Sequence, residues 1–176
     1  MAATVQVMSL HGAAGATETQ VDGTTFKFKR SDNDTNDTSN PIPKPASGFN
    51  YSWRKSFRCK VTVAPDGDIS FLRFFTDAGS WGTGCKMFAH TMPFANYTQG
   101  SSADNATKIV DGAGSAVTDA IGFTSGAPLT VNAGTVLTAT TGYGTQDMVE
   151  AQTEVADTAS RGTKGPRVLT WRYDES

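Results

Sequence analysis

The strongest constraint on the fold is a stretch in which apolar and polar side chains alternate, residues 51–63. Apart from Lys55, its odd positions are apolar, and its even positions are polar. Because successive side chains of a β-strand point to opposite faces, the pattern predicts a long strand with one buried and one solvent-facing side. Cys59 falls on the buried side and is interpreted as a small core residue; a disulfide with Cys85 is the alternative.

The chain then turns and returns as a second apolar stretch. Residues 64–68 read Ala-Pro-Asp-Gly-Asp, and their proline and glycine predict a turn. Residues 69–76 carry large apolar side chains at both odd and even positions: Ile69, Phe71, Phe75, Leu72 and Phe74. We expect this strand to be covered on both faces. We also expect it to pair with the first strand in a hairpin that buries Val61 and Phe71.

Weaker alternation elsewhere predicts further strands. Residues 4–10 are predicted to form a short edge strand. Residues 24–30 are predicted to form a strand with Phe26 and Phe28 inward and Lys27 and Lys29 outward. The other predicted strands are residues 85–91, 128–131, 135–138, 148–155 and 167–173. In residues 148–155, Glu150, Gln152 and Glu154 are expected to face solvent. Residues 93–126 show no clear pattern, and a short helix and a β-excursion both stay open there. Strands separated by turn signals predict an all-β fold, an antiparallel β-sandwich or barrel.

Residues 31–47 form a polar, proline-rich interruption with almost no apolar side chains. Such a composition predicts an exposed loop or extended arm without regular structure. The chain is therefore divided into an N-terminal arm, residues 1–47, and a β-sandwich domain, residues 48–176. We expect the domain to close its core without the arm.

Catalytic and metal-binding motifs are not recognisable in the sequence. His11 and His90 are interpreted as satisfied or exposed surface histidines. The acidic stretch 32–37 departs from a calcium loop, since Asp37 stands where glycine is needed and Pro43 where glutamate is needed. We therefore expect no catalytic, cofactor-binding or metal-ligating residue, no cofactor, and no enzyme activity.

The aromatic residues allow a different reading, a sugar-binding platform. Trp53 and Trp171 lie on apolar strand faces and are assigned to the core. Trp81 and Tyr143 lie in glycine-containing loops, which a ligand could reach. The alternative for Trp81 is that it covers the core from its loop.

The formal net charge of −2 gives no electrostatic case for nucleic-acid binding. No apolar run approaches the roughly 20 residues of a membrane helix. The N-terminus does not read as a secretory signal. We expect a protein that is made in a cytosol, is kept there until it is assembled or released, and binds neither membrane nor nucleic acid.

Four segments resemble a group of small β-rich structural proteins of tailed bacteriophages: residues 69–77 (ISFLRFFTD), 81–84 (WGTG), 123–129 (FTSGAPL) and 169–175 (LTWRYDE). The resemblance covers roughly residues 50–176. It implies a non-enzymatic virion component, folded as a β-sandwich and present in many copies. It carries over no ligand-binding residue.

These observations lead us to expect a virion structural protein, specifically a capsid decoration protein that binds and stabilises the assembled capsid. Its expected partners are the major capsid protein or other virion subunits, and further copies of itself. A neck or tail component is the alternative within the virion. A carbohydrate-binding or adhesion β-sandwich is the alternative from another class.

Overall fold

The computed structural model describes residues 1–176 and consists mainly of nine β-strands. These are β1 (Thr4–His11), β2 (Thr17–Gln20), β3 (Phe49–Tyr51), β4 (Lys55–Val63), β5 (Asp68–Thr76), β6 (Cys85–Met92), β7 (Leu129–Thr138), β8 (Met148–Ala156) and β9 (Leu169–Glu175). The large sheet has the order β2-β1-β4-β8-β3, with β6 also paired to β8, and the small sheet has the order β7-β5-β9. All pairings are antiparallel, which confirms the predicted all-β sandwich.

The main core lies between the two sheets. Phe57, Cys59 and Val61 of β4 belong to the same buried cluster as Leu72 and Phe74 of β5. Val61 is 2% exposed, as the alternation predicted. Cys59 is buried as predicted, and the bridge to Cys85 does not form, because both thiols are free.

The predicted hairpin between β4 and β5 is wrong. β4 pairs with β1 and β8, whereas β5 pairs with β7 and β9. The turn at residues 64–67 therefore carries the chain from one sheet to the other, and β4 and β5 face each other across the core. A turn motif specifies a change of direction, but it does not specify which strand edges pair afterwards.

β5 contains a bulge that reverses its inward-facing residues. Phe71 has a φ of 50°, and the pairing with β7 and β9 shifts register around it. Ile69 points into the core before the bulge, and Leu72 and Phe74 do so after it, at 2%, 1% and 0% exposure. Phe71 is 50% exposed, so its predicted burial is wrong. A bulge adds one residue to one strand and shifts every later side chain to the other face.

Loops cover the outer face of the large sheet and form a third layer. Glu150, Gln152 and Glu154 of β8 were predicted to face solvent, but they are 0%, 0% and 6% exposed. The predicted wet face of β4 is likewise buried at Ser56 and Arg58. Beneath the loops, a second apolar cluster joins Tyr51, Phe88, Ile109 and Val117. Coverage by segments distant in sequence cannot be inferred from the alternation of one strand.

The structure does not show an extended N-terminal arm. β1 is a strand as predicted, but it is not at the edge, because it lies between β2 and β4. Its Val5 and Val7 stand opposite Val61 and Cys59 of β4. Residues 31–47 have no regular structure, as predicted, yet they pack against the sandwich through ion pairs described below.

Three other segments differ from prediction. Residues 24–30 form no strand, although Phe26 and Phe28 do pack against the core. Lys29 was expected to be exposed, but it is 2% exposed, and its Nζ donates to Asp37 and Thr35. The two short strands predicted around residues 132–134 are one continuous strand, β7. The long strand predicted from residue 51 is interrupted at residues 52–54.

Strands β6, β8 and β9 lie within a residue or two of their predicted positions. Residues 93–126, for which the sequence showed no clear pattern, contain short 3₁₀ helices and isolated β-bridges.

Candidate functional site

A fully buried carboxylate, Glu150, organises the polar layer between the large sheet and its covering loops. Its Oε1 lies 3.4 Å from a terminal nitrogen of Arg54, whose Nε donates to Asp104 Oδ1 at 2.8 Å. Burial works to lower the pKa of Arg54, but Glu150 and Asp104 outweigh it, and the pKa is raised. Asp104 also accepts from the backbone N–H of Ser101 at 2.9 Å. The network therefore ties β8 to the loop at residues 101–105.

His90 completes this network from β6. Its Nε2 lies 3.2 Å from Glu150 Oε2, and its Nδ1 lies 3.1 Å from the carbonyl of Thr91. A neutral imidazole has one N–H and can donate to only one of these two oxygens. His90 was predicted to have its hydrogen bonds satisfied, and both ring nitrogens do have partners. It was also predicted to lie at the surface, which is wrong, because it is only 7% exposed.

An open groove of about 490 Å³ runs beside His90. It is lined by the β6 residues 89–91, the loop at residues 111–118, Phe123 and Leu129. His90 turns its ring nitrogens to Glu150 and Thr91. The groove is thus lined in part by His90, while the ring nitrogens of this residue contact Glu150 and Thr91.

A second set of buried charges anchors residues 31–37. Lys55 Nζ donates to Asp34 Oδ1 at 2.9 Å and to the carbonyl of Asn33 at 2.7 Å, and both charged side chains are almost fully buried. His11 Nε2 lies 3.4 Å from the other Asp34 oxygen. Hydrogen bonds from Thr35 and Lys29 hold the pKa of the Asp37 carboxyl below its usual range. Two carboxylates of the calcium-like stretch, those of Asp34 and Asp37, thus pair with lysines of the chain itself, and that of Asp32 accepts from the N–H of Gly12 and the amide of Gln99.

Tyr143 lies in a loop as predicted, but its ring is half-buried in a stack. The guanidinium of Arg58 lies between the rings of Tyr143 and Phe94, 4.3 Å and 4.5 Å from their centroids. Burial lowers the pKa of Arg58, and burial together with nearby Glu18 raises the pKa of Tyr143. Cation–π contacts of this kind strengthen when water is excluded from them.

Trp81 covers the core from its loop, which was the alternative to a ligand-accessible position for this residue. Its ring meets Phe28 edge to face at 6.3 Å, and its Nε1 donates to the carbonyl of Gly165 at 3.0 Å. Trp171 packs against the core, with its ring 5.4 Å from that of Phe74. Trp53 is half-buried and belongs to neither apolar cluster, so its assignment to the core is wrong. Its Nε1 donates to Asn105.

The outer face of the small sheet presents aromatic and arginine side chains that are exposed or half-exposed. It carries Phe71, Arg73 and Phe75 of β5 beside Arg172 of β9, a set that we call the aromatic–arginine face. Arg73 donates to Asp174 at 2.5 Å, and Arg172 lies 5.6 Å from the Phe75 ring centroid. Aromatic residues and arginine are enriched at protein–protein contacts, and a bulky residue held at positive φ, such as Phe71, is uncommon.

Sequence reasoning missed this face because it assigned Phe71 and Phe75 to a covered strand. A partial signal was present, since β5 has large apolar residues at both odd and even positions. That pattern fits a doubly covered strand and a bulged strand equally well.

Comparison with known proteins finds no matching family model, no curated protein and no solved structure. None of the helical segments of the structure has the length and apolar character needed to cross a bilayer.

Proposed function

We propose that this chain is a non-enzymatic structural protein of a bacteriophage virion that decorates the capsid. In this role it binds the assembled lattice of the major capsid protein and stabilises it. Anything that binds only the assembled state shifts the equilibrium towards that state, so resistance to disruption rises as sites fill.

One observation carries the proposal: the four segments that resemble phage structural proteins meet in space. Residues 69–77 contain most of β5, which pairs with β9 of residues 169–175. Phe74 stands opposite Leu129, and the N–H of Thr76 donates to the carbonyl of Phe123 at 2.9 Å. Trp81 contacts the connector to β9 through Gly165. The four segments therefore lie in one contiguous unit, the small sheet and its Trp81 loop.

The same unit carries the aromatic–arginine face, which supplies a means of attachment. Phe71 is 50% exposed and held at a φ of 50°. Left-handed backbone costs a non-glycine residue about 1–2 kcal/mol, so this residue combines backbone strain with exposed apolar surface. Burial of its ring against a capsid subunit would recover part of that cost. Arg73 is already paired with Asp174, but Arg172 makes no ion pair within the chain and suits a partner surface that mixes apolar and acidic side chains.

Binding to capsids that lack the protein tests the proposal. Labelled chain is mixed with such particles, and the bound fraction is measured after sedimentation, together with the temperature at which particles release their genome. We expect the chain to cosediment and to raise that temperature. Phe71→Glu should reduce binding at least tenfold, whereas Val110→Glu, at an exposed site outside this face, should bind normally. A chain that leaves the particles unbound, or that binds equally well with Phe71→Glu, would refute the proposal.

A further inference from the structure

Strand β9 ends the small sheet with an unpaired edge. It pairs only with β5. The carbonyl of Val168 accepts from the N–H of Asp77, and the N–H of Ser176 donates to the carbonyl of Asp68, both at 3.1 Å. Backbone groups of successive residues in an antiparallel strand point to alternate sides. Even-numbered residues of β9 therefore bond to β5, and the N–H and C=O of Leu169, Trp171 and Tyr173 point away from the sheet.

The same three residues carry the apolar side chains of β9. Leu169, Trp171 and Tyr173 pack against the main core but remain only half-buried. On the neighbouring strand, Phe74, which stands opposite Trp171, is 0% exposed. The difference arises because no strand lies beyond β9. An edge that combines unpaired backbone groups with partly exposed apolar side chains is a template for another strand.

We propose that this edge pairs with β9 of a second copy of the chain, antiparallel and with the two-fold axis at Trp171. Two small sheets of order β7-β5-β9 then join through their β9 strands into one continuous sheet. A two-fold interface must be self-complementary. In this register Trp171 stands opposite Trp171, and Leu169 opposite Tyr173, so the outward backbone groups pair and the apolar row continues across the junction.

Charge disfavours the registers that are shifted towards the C-terminal end of β9. A shift that centres the axis on Arg172 would place two guanidinium groups opposite each other and Leu169 opposite Glu175. A further shift, centred on Tyr173, would place Trp171 opposite Glu175. Like charges in directly opposite positions destabilise a strand pair. The register centred on Trp171 sets Arg172 opposite the neutral Thr170. This pairing follows from the strand edge alone and does not rest on the proposed role in a virion.

Cysteine crosslinking of the full chain tests the register. Residues opposite each other in a hydrogen-bonded pair have Cα atoms about 5.5 Å apart, within the range of a disulfide. Trp171→Cys should therefore form a covalent dimer under mild oxidation, while Val110→Cys should not. Leu169→Cys and Tyr173→Cys should each fail to crosslink alone and should crosslink when mixed. The natural Cys59 and Cys85 do not interfere, because they are 3% and 5% exposed.

Sedimentation velocity of the unmodified chain supplies the second measurement, with a dimer expected at micromolar concentration. A monomer at every concentration tested would overturn the proposal. So would Leu169→Cys or Tyr173→Cys crosslinking with itself, since that requires a different register. If Trp171→Cys fails to fold, the mixture of the Leu169 and Tyr173 variants decides, and failure of that mixture to crosslink also overturns the pairing.

Discussion

Two phenylalanines of β5 test the bulge directly, because they differ in environment while lying three residues apart. Phe74 is 0% exposed and meets Trp171 at 5.4 Å, whereas Phe71 is 50% exposed on the opposite face. Truncation of a buried phenylalanine to alanine costs about 3–5 kcal/mol, and loss of the aromatic pair places Phe74→Ala towards the upper end. In a chain of this size 1 kcal/mol shifts Tm by about 2–4 °C, so Tm should fall by about 6–20 °C.

Phe71→Ala should change the free energy of unfolding by less than about 1 kcal/mol, since half of the ring already contacts solvent. Alanine keeps the strain of the positive φ, so Phe71→Gly should be more stable than Phe71→Ala by about 1 kcal/mol. Thermal and urea unfolding of the three variants measure these differences. Equal losses for Phe71→Ala and Phe74→Ala, or a Phe71→Gly less stable than Phe71→Ala, would contradict the bulge and the placement of these side chains.

Three further predictions concern the buried network around Glu150, the N-terminal strands, and the dependence of stability on pH. Glu150→Ala should cost about 3 kcal/mol or more in urea unfolding, because it removes one of the two buried carboxylates that pair with the guanidinium of Arg54 and leaves only Asp104. Glu150→Gln should cost less, and equal losses would show that the charge of Glu150 is not what matters there. Deletion of residues 1–22 should give an insoluble or non-cooperative protein, because it removes both β1 and β2 and leaves β4 without its partner on that side, and a cooperative melt of the truncated chain would contradict this. Burial raises the pKa of Tyr51 from 10.0 to about 12, with Glu154 adding to the shift, so the folded state holds this proton more tightly than the unfolded state. The free energy of unfolding should therefore decrease as pH rises from about 10 to about 12. Tyr51→Phe should reduce that decrease, and an identical pH profile would argue against the shift.

The deletion prediction reverses the expectation from sequence. A polar, proline-rich stretch at residues 31–47 indicated an arm that could be removed. The structure instead places β1 inside the large sheet and anchors Asp34 to the buried Lys55. Composition describes the stretch itself, but it says nothing about the strand that precedes it or about the partners its few charges find.

Local alternation by itself determined that the chain is built from strands, and it located β4, β6, β8 and β9. This information is local, because the period of two residues is a property of each strand's own geometry. The turn signals and the absence of long amphipathic segments then sufficed for the fold class. The burial of Val61 and Cys59 followed from the same pattern.

Tertiary structure alone decided the rest. The pairing partners of β4 and β5, the bulge at Phe71 and the coverage of Glu150 by loops all depend on residues far away in sequence. The two surfaces that carry our proposals depend on them as well. Phe71 faces outwards only because one extra residue enters β5, and the backbone groups of Trp171 are unpaired only because β9 is the last strand of its sheet. A side chain's polarity is encoded locally, but its neighbours are set by which edges and faces the folded chain brings together.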